Sequence, residues 1–179
     1  MSINLKKLTM KKIIFSIVFC SLAALANGQV AIGKESINGN STLLDFYDEP
    51  DNFRGIILPA VESAPTLAGA NNGTFVFDKT EQKIRMFEAG DWKDLSGEGD
   101  ASDVLANTSN ETGDGVIIGA ETTSAEGVLV LESPDKAMIL PKIANPHITV
   151  KSPFPGMICY DTVSKSLAVF DGSVWNYWK

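Results

Sequence analysis

Short apolar runs of strand length recur along the chain, and turn-forming residues separate them. Thr74–Phe77 and Lys83–Glu88 are rich in aromatic and β-branched side chains, which favour strands. The polar segment Asp78–Gln82 lies between them, and its aspartate favours a turn because the side chain can accept hydrogen bonds from the backbone that follows. The pattern predicts a β-hairpin with a loop of about five residues.

This hairpin pattern occurs twice. Gly73–Leu95 aligns without a gap with Gly156–Trp178 at an offset of 83 residues. The aligned blocks share their first glycine, a turn aspartate and a closing tryptophan. Two upstream blocks recur in the same order: Ile57-Leu58-Pro59 as Ile139-Leu140-Pro141, and Val30–Gly33 as Val116–Gly119. An internal repeat of this kind informs about architecture more than about chemistry.

The remaining apolar segments also favour strands. Thr42–Tyr47 and Gly127–Leu131 read as strands, and the two Ile-Leu-Pro blocks read as strands that stop at proline, which cannot donate to a ladder. Ala60–Ala70 could hold one helical turn, although a proline and a glycine interrupt it. The sequence therefore predicts a mostly β protein made of two tandem small modules built on hairpins, with little helix beyond the N-terminal segment.

Composition divides the repeat into two modules. Residues 96–115 are rich in Gly, Ser, Asn and acidic residues and are predicted to form a linker or extended loop. They separate module 1, residues 29–95, from module 2, residues 116–179. A module of this size buries only a modest core. We therefore expect the two modules to pack together, or several chains to do so.

The first 28 residues have the pattern of a secretory signal. A lysine-rich start precedes the apolar run Ile13–Ala26, and Ala24-Leu25-Ala26 supplies the small residues that signal peptidase accepts. The run is shorter than the roughly 20 apolar residues that span a bilayer, so a membrane anchor is the disfavoured alternative. Lipidation at Cys20 is disfavoured as well, because a phenylalanine precedes that cysteine. We predict a mature N-terminus between Asn27 and Gln29.

Removal of the signal leaves an acidic chain. The remaining 151 residues carry eleven basic and 22 acidic side chains, a net charge of −11. This balance argues against nucleic acid and anionic membrane surfaces as partners, because both require clustered Lys and Arg. Cys159 is then the one cysteine left, so an intrachain disulfide is excluded. Its apolar neighbours predict a small core residue, with an intermolecular bridge as the alternative.

The ordered blocks resemble a pattern found in exported proteins of Bacteroidetes and in phage tail-fibre-like proteins. That pattern runs from a Val-Gly-Ile-Gly-like start through an "LDV"-like strand and "KGhLLPRM" (h apolar) to "GhhhYD…YdGxxW". Nearly the whole mature chain takes part. The matching residues are Val30–Gly33, Leu43–Phe46, Arg54–Pro59 and Gly73–Trp92, then Val116–Gly119, Val128–Leu131, Ala137–Pro141 and Gly156–Trp175. The resemblance implies a secreted or surface β-rich module without catalytic residues, in fibre-like or adhesive proteins that are sometimes trimeric.

Motifs for catalysis, cofactors and metals are missing from the sequence. The mature chain has one histidine, His147, and no G-x-S-x-G elbow that would pair a nucleophile with it. One His and one Cys do not supply a transition-metal site. No Gly-rich phosphate loop opens a helix. Paired carboxylates for glycoside hydrolysis stay open as a minor alternative. So does a calcium site in the linker, although Glu98, Asp100, Asp103 and Asp114 lack the spacing of a calcium loop.

The aromatic residues suggest where a contact surface would lie. Rings that occupy equivalent places in both modules, such as Trp92 and Trp175, are interpreted as hairpin-closing core residues. Tyr177 and Trp178 have no aromatic counterpart in module 1 and are predicted as an exposed contact surface. Thr162, in Asp161-Thr162-Val163, fits the Asp-Thr-aliphatic pattern of bacterial O-glycosylation.

Together these features predict a non-enzymatic exported protein with a structural or adhesive role. Its location would be the periplasm, the outer cell surface or the extracellular space. Homo-oligomerisation, as a trimer, and contact with a surface glycan or protein are the expected partnerships. No cofactor and no membrane insertion after signal cleavage are expected. A carbohydrate-binding module that uses the C-terminal aromatics is the alternative function.

Overall fold

The computed structural model describes Lys12, residues 28–105, Gly113 and residues 115–179. The predicted signal peptide, apart from Lys12 and Gly28, and the middle of the predicted linker lie outside these residues. The described part is mostly β and resembles stacked solenoid coils, so the predicted fold class is confirmed.

The first copy of the repeat forms seven strands. They are β1 Val30–Ile32, β2 Thr42–Phe46, β3 Ile56–Ile57, β4 Ala60–Val61, β5 Phe75–Asp78, β6 Lys83–Glu88 and β7 Asp91–Asp94. A short 3₁₀ turn, Gly69–Asn71, lies between β4 and β5.

The second copy forms seven strands in the same order. They are β8 Val116–Ile118, β9 Leu129–Leu131, β10 Ala137–Met138, β11 Lys142–Ile143, β12 Met157–Asp161, β13 Ser166–Phe170 and β14 Trp175–Trp178. Helix α1, Pro146–Thr149, lies between β11 and β12 and starts on a proline, whose fixed φ suits the first helical position. The sequence pattern did not predict this helical turn.

Each copy has the same internal pairing. The first two strands pair in parallel, as β1–β2 and as β8–β9. The fourth and fifth pair in parallel, as β4–β5 and β11–β12. The last three form antiparallel meanders, β5-β6-β7 and β12-β13-β14. The predicted hairpins are thus present.

Two further strand pairs join one copy to the other. β10 of the second copy pairs in parallel with β2 of the first, completing the sheet β1-β2-β10. β3 of the first copy pairs antiparallel with β12 of the second, where Ile56 lies opposite Ile158. The two modules therefore share sheets.

The hydrophobic core also draws on both copies. Phe77 and Ile84 from the first and Ile158 and Val169 from the second form one buried cluster, together with Val104. A shared core suits modules of this size, since about 65 residues bury only a modest apolar surface on their own.

The first half of the predicted linker is part of this fold. The side chain of Val104 is buried in the shared core, although the segment is polar on average. The Gly99 N–H donates to the Gln82 carbonyl at 2.8 Å, and the Asp100 N–H donates to the Asp171 carbonyl at 2.9 Å. Residues 96–105 thus contact both copies. The polar composition of the segment did not predict that it contacts both copies, because only Val104 and a few backbone hydrogen bonds make these contacts.

Candidate functional site

The two C-terminal aromatics predicted as one contact surface lie on opposite faces of β14. Tyr177 is opposite Ala168 of β13, while Trp178 is opposite Leu167. Successive side chains of a strand point to opposite faces of the sheet, so adjacency in sequence separates these rings in space. The two rings therefore make different contacts, although both residues border the cleft described below.

Tyr177 contacts His147. The Tyr177 hydroxyl lies 2.9 Å from His147 Nδ1, and the two rings meet edge to face with centroids 6.2 Å apart. Helix α1 positions the imidazole, because Asn145 in a left-handed conformation turns the chain into it. Burial raises the pKa of Tyr177, and the nearby negative charge of Asp161 raises it further. This pair makes a small polar patch beside the second meander.

Trp178 lies at the junction of the two copies. Its indole N–H donates to the carbonyl of Leu95, the residue that Trp178 replaces in the repeat, while 48% of the residue remains exposed. An open cleft of about 250 Å³ runs along this junction. It is lined by Asp94, Leu95, Ser96, Gly97, Asn176, Tyr177 and Trp178.

Asp94, the acidic residue that lines this cleft, forms ion pairs with two basic side chains. Lys83 Nζ lies 2.9 Å from the Asp94 carboxylate. Arg85 Nε lies 3.0 Å from the same carboxylate and forms an ion pair with it, but the angle is not that of a hydrogen bond. Arg85 also reaches the buried Asp78 at 3.2 Å. The cleft therefore combines an exposed indole, a side-chain amide and a neutralised carboxylate, which suits a polar, uncharged ligand with one apolar face.

The tryptophans shared by both copies pack on their own hairpins. Trp92 meets Phe87 edge to face with centroids 5.4 Å apart, and its indole N–H donates to the Pro65 carbonyl at 2.8 Å. Trp175 packs on Phe170 at the same centroid distance. These contacts support the interpretation of the shared rings as structural.

Four aspartates of the described chain are buried. The sequence predicts a turn role for Asp78 and its counterpart Asp161, and assigns no role to the side chains of Asp45 and Asp171. Each side chain accepts hydrogen bonds from nearby backbone N–H groups. Asp161 accepts from the N–H groups of Asn145 and Val163, both at 3.0 Å. The other three are Asp45, Asp78 and Asp171. For Asp78, Asp161 and Asp171, the signal that could have found them is an aspartate at the end of an apolar strand, whereas Asp45 lies within β2.

The pKa values of three of these carboxyl groups lie below the ordinary range. For Asp161, burial raises the pKa, but hydrogen bonds from the Ser164 hydroxyl and the backbone outweigh it. For Asp45, burial again raises the pKa, but the hydrogen bond from the Asn38 N–H and the charge of the Lys34 ammonium lower it by more. The pKa of Asp78 is lowered in the same way against burial. These three aspartates are ionised and bonded to the backbone, so they are unsuited to donate protons near neutral pH.

Thr162 is exposed at the tip of the second hairpin, whereas its neighbour Asp161 is buried. A modifying enzyme could reach the Thr162 hydroxyl in the folded protein, but the aspartate of the triplet is turned inward.

Cys159 lies fully buried in the second meander, as the sequence predicts. Burial raises the pKa of its thiol to about 12, and the negative charge of Asp161 adds to the effect. The thiol is therefore protonated and poorly nucleophilic at neutral pH.

The part of the chain that the structure describes contains no group of His, Cys, Asp and Glu side chains arranged to hold a metal ion. Of the four carboxylates named as an alternative calcium site, Asp114 lies outside the described residues. The Asp100 carboxylate accepts a hydrogen bond from the Ser102 N–H at 2.8 Å. No described helix has the length and apolar character needed to cross a membrane.

Comparison of the chain with protein family models, with curated proteins and with solved structures finds no match.

Proposed function

We propose that the chain is an exported, non-enzymatic structural or adhesive protein whose repeat acts as a scaffold. The observation that carries the proposal is that residues common to both copies are used for folding. The turn aspartates are buried and bonded to backbone, and the closing tryptophans pack on their own hairpins. The two C-terminal aromatics that the copies do not share, Tyr177 and Trp178, are exposed, and Trp178 lies at the junction between the copies.

The chemistry of the nucleophilic groups supports a role without catalysis. The Cys159 thiol is buried with a raised pKa, and His147 contacts Tyr177. The resemblance to exported Bacteroidetes repeat proteins favours the same conclusion. It also supports a periplasmic, cell-surface or extracellular location and assembly with further copies.

Cell fractionation with N-terminal sequencing tests the export proposal. We expect the protein in the periplasmic, surface or secreted fraction, with a first residue between Asn27 and Gln29. Recovery of the cytoplasmic protein with Met1 intact would contradict it.

The second candidate function is binding of a carbohydrate in the cleft at Trp178. The half-exposed indole beside Asn176 favours this candidate, because sugar rings stack on aromatic faces while their hydroxyls bond to amides. A glycan array should then show saturable binding that Trp178→Ala abolishes. Phe53→Ala is the matched control, since Phe53 is an exposed aromatic outside the cleft. Equal binding by both variants, or none by the wild type, would exclude this function.

A further inference from the structure

The contact between the two copies is directional. The first copy contributes its second strand, β2, which pairs with the third strand of the following copy, β10. It also contributes its third strand, β3, which pairs with the fifth strand of that copy, β12. The first copy therefore offers one edge and the second copy a different, complementary edge.

At the C-terminal end of the repeat, the edge of β9, which corresponds to the paired edge of β2, has no partner strand among the described residues. Leu129 of β9 occupies the place of Leu44 of β2, since they pair with the equivalent residues Val116 and Val30. Leu44, which lies opposite Met138 of β10 in the sheet, is 1% exposed, whereas Leu129 is 50% exposed. Among the described residues, β9 pairs with β8 alone. An apolar position buried in one copy is thus open in the other.

At the N-terminal end, the complementary edge also has no partner strand among the described residues. β10 binds β2 through the N–H groups of Ala137 and Ile139, which donate to Ser41 and Leu44 at 2.8 and 2.9 Å. The equivalent residues of the first copy are Gly55 and Ile57. Within the described chain β3 pairs with β12 alone, and strand geometry turns these two N–H groups to its other edge. Ile57 is 43% exposed there.

The other pair between the copies, β3 with β12, also has no counterpart at the two ends of the described chain. β12 receives β3 at Met157 and Ile158, which correspond to Thr74 and Phe75 of the first copy. In the described residues, β5 pairs with β4 at Phe77 and Asp78 but with no strand at Phe75 on that edge. β10, the counterpart of β3, pairs only with β2 in the same part of the chain, and its Met138 is 38% exposed.

We propose that a second copy of this chain binds head to tail, repeating the contact that joins the two modules. β9 of one chain pairs in parallel with β3 of the next, with Leu129 opposite Ile56. β10 of the first chain pairs antiparallel with Thr74–Phe75 of the next. The occupant is a second copy because the internal join supplies the template for both pairs. Because this contact is heterologous, it closes into a ring or grows as a filament. The interface deepens the proposed structural role, but a monomer that is exported would overturn the interface and leave export untouched.

Two charged substitutions test the pairing, because lysine on an edge strand blocks strand addition. Leu129→Lys and Ile57→Lys each disable one of the two edges at an exposed position. Leu105→Lys is the matched control, since Leu105 is 89% exposed and lies on neither edge. Sedimentation velocity should show assemblies for the wild type and the control, and the mass of one chain for each edge variant. Circular dichroism of each variant checks that the fold is kept.

Mixing the two edge variants gives the sharpest result. Each retains one good edge, so an equimolar mixture should form a dimer of twice the single-chain mass and nothing larger. A mixture that stays monomeric would overturn the head-to-tail contact, as would a wild type of single-chain mass or edge variants that assemble like the control.

Discussion

Asp78 and Asp161 occupy the same place in the two copies, at the start of the hairpin loop, and both are buried and ionised. Their carboxylates satisfy backbone N–H groups that the turn would otherwise leave without a partner, and such groups are costly when buried. An aspartate in this position therefore stabilises a fold and needs no catalytic explanation.

Asp161→Asn tests this role through its pH dependence. Because the folded pKa is depressed, the stabilisation is present above the unfolded pKa of about 3.9 and is lost as the pH falls through the folded pKa. We expect the variant to lose about 2 kcal/mol of unfolding free energy at pH 7 in urea denaturation, and the difference from wild type to shrink as the pH falls below about 4.

The matched control is Asp135→Asn, whose side chain is 71% exposed. It should change the unfolding free energy by less than about 0.5 kcal/mol. A deficit of Asp161→Asn that stays constant from pH 7 to acid would contradict the role assigned to the charge.

At the scale of elements, the sequence predicted what is local. The strand Lys83–Glu88 and the two hairpins follow from runs of aromatic and β-branched residues and from turn aspartates, and the structure has them. The parallel pairs and the joins between copies were not predictable, because strands of two or three residues carry no period and their partners are distant in sequence. The cleft at Trp178 was missed for the same reason, since Leu95 and Trp178 meet only through the join.

A pair of glycines tests whether residues 96–105 belong to the fold. A Cβ on Gly99 would lie 2.1 Å from the Asp171 carbonyl oxygen, whereas one on Gly97 would meet nothing within 4 Å. We expect Gly99→Ala to lower the unfolding free energy by about 2 kcal/mol, because the segment must shift off the second copy. Gly97→Ala should stay within about 0.5 kcal/mol. Equal effects of the two substitutions would mean that the segment is a free linker.

At the scale of the whole molecule, the copies fold as one unit because they share a core. Ile84 of the first copy and Val169 of the second are both fully buried in the same cluster. The tandem repeat in the sequence therefore describes the pairing pattern, and we expect both copies to contribute to one stability.

Calorimetry tests this cooperativity. We expect one thermal transition with equal calorimetric and van't Hoff enthalpies. Ile84→Ala should cost about 3 kcal/mol and lower the temperature of the whole transition. Two separate transitions, with only one moved by Ile84→Ala, would show independent modules.

The most direct measurement of the central claim, that this repeat is built to join copies into a structure, is the mass of the wild-type protein in solution by light scattering. We expect a mass at least twice that of one chain, either fixed, as for a closed ring, or rising with concentration, as for a filament. The mass of one chain at every concentration would contradict it.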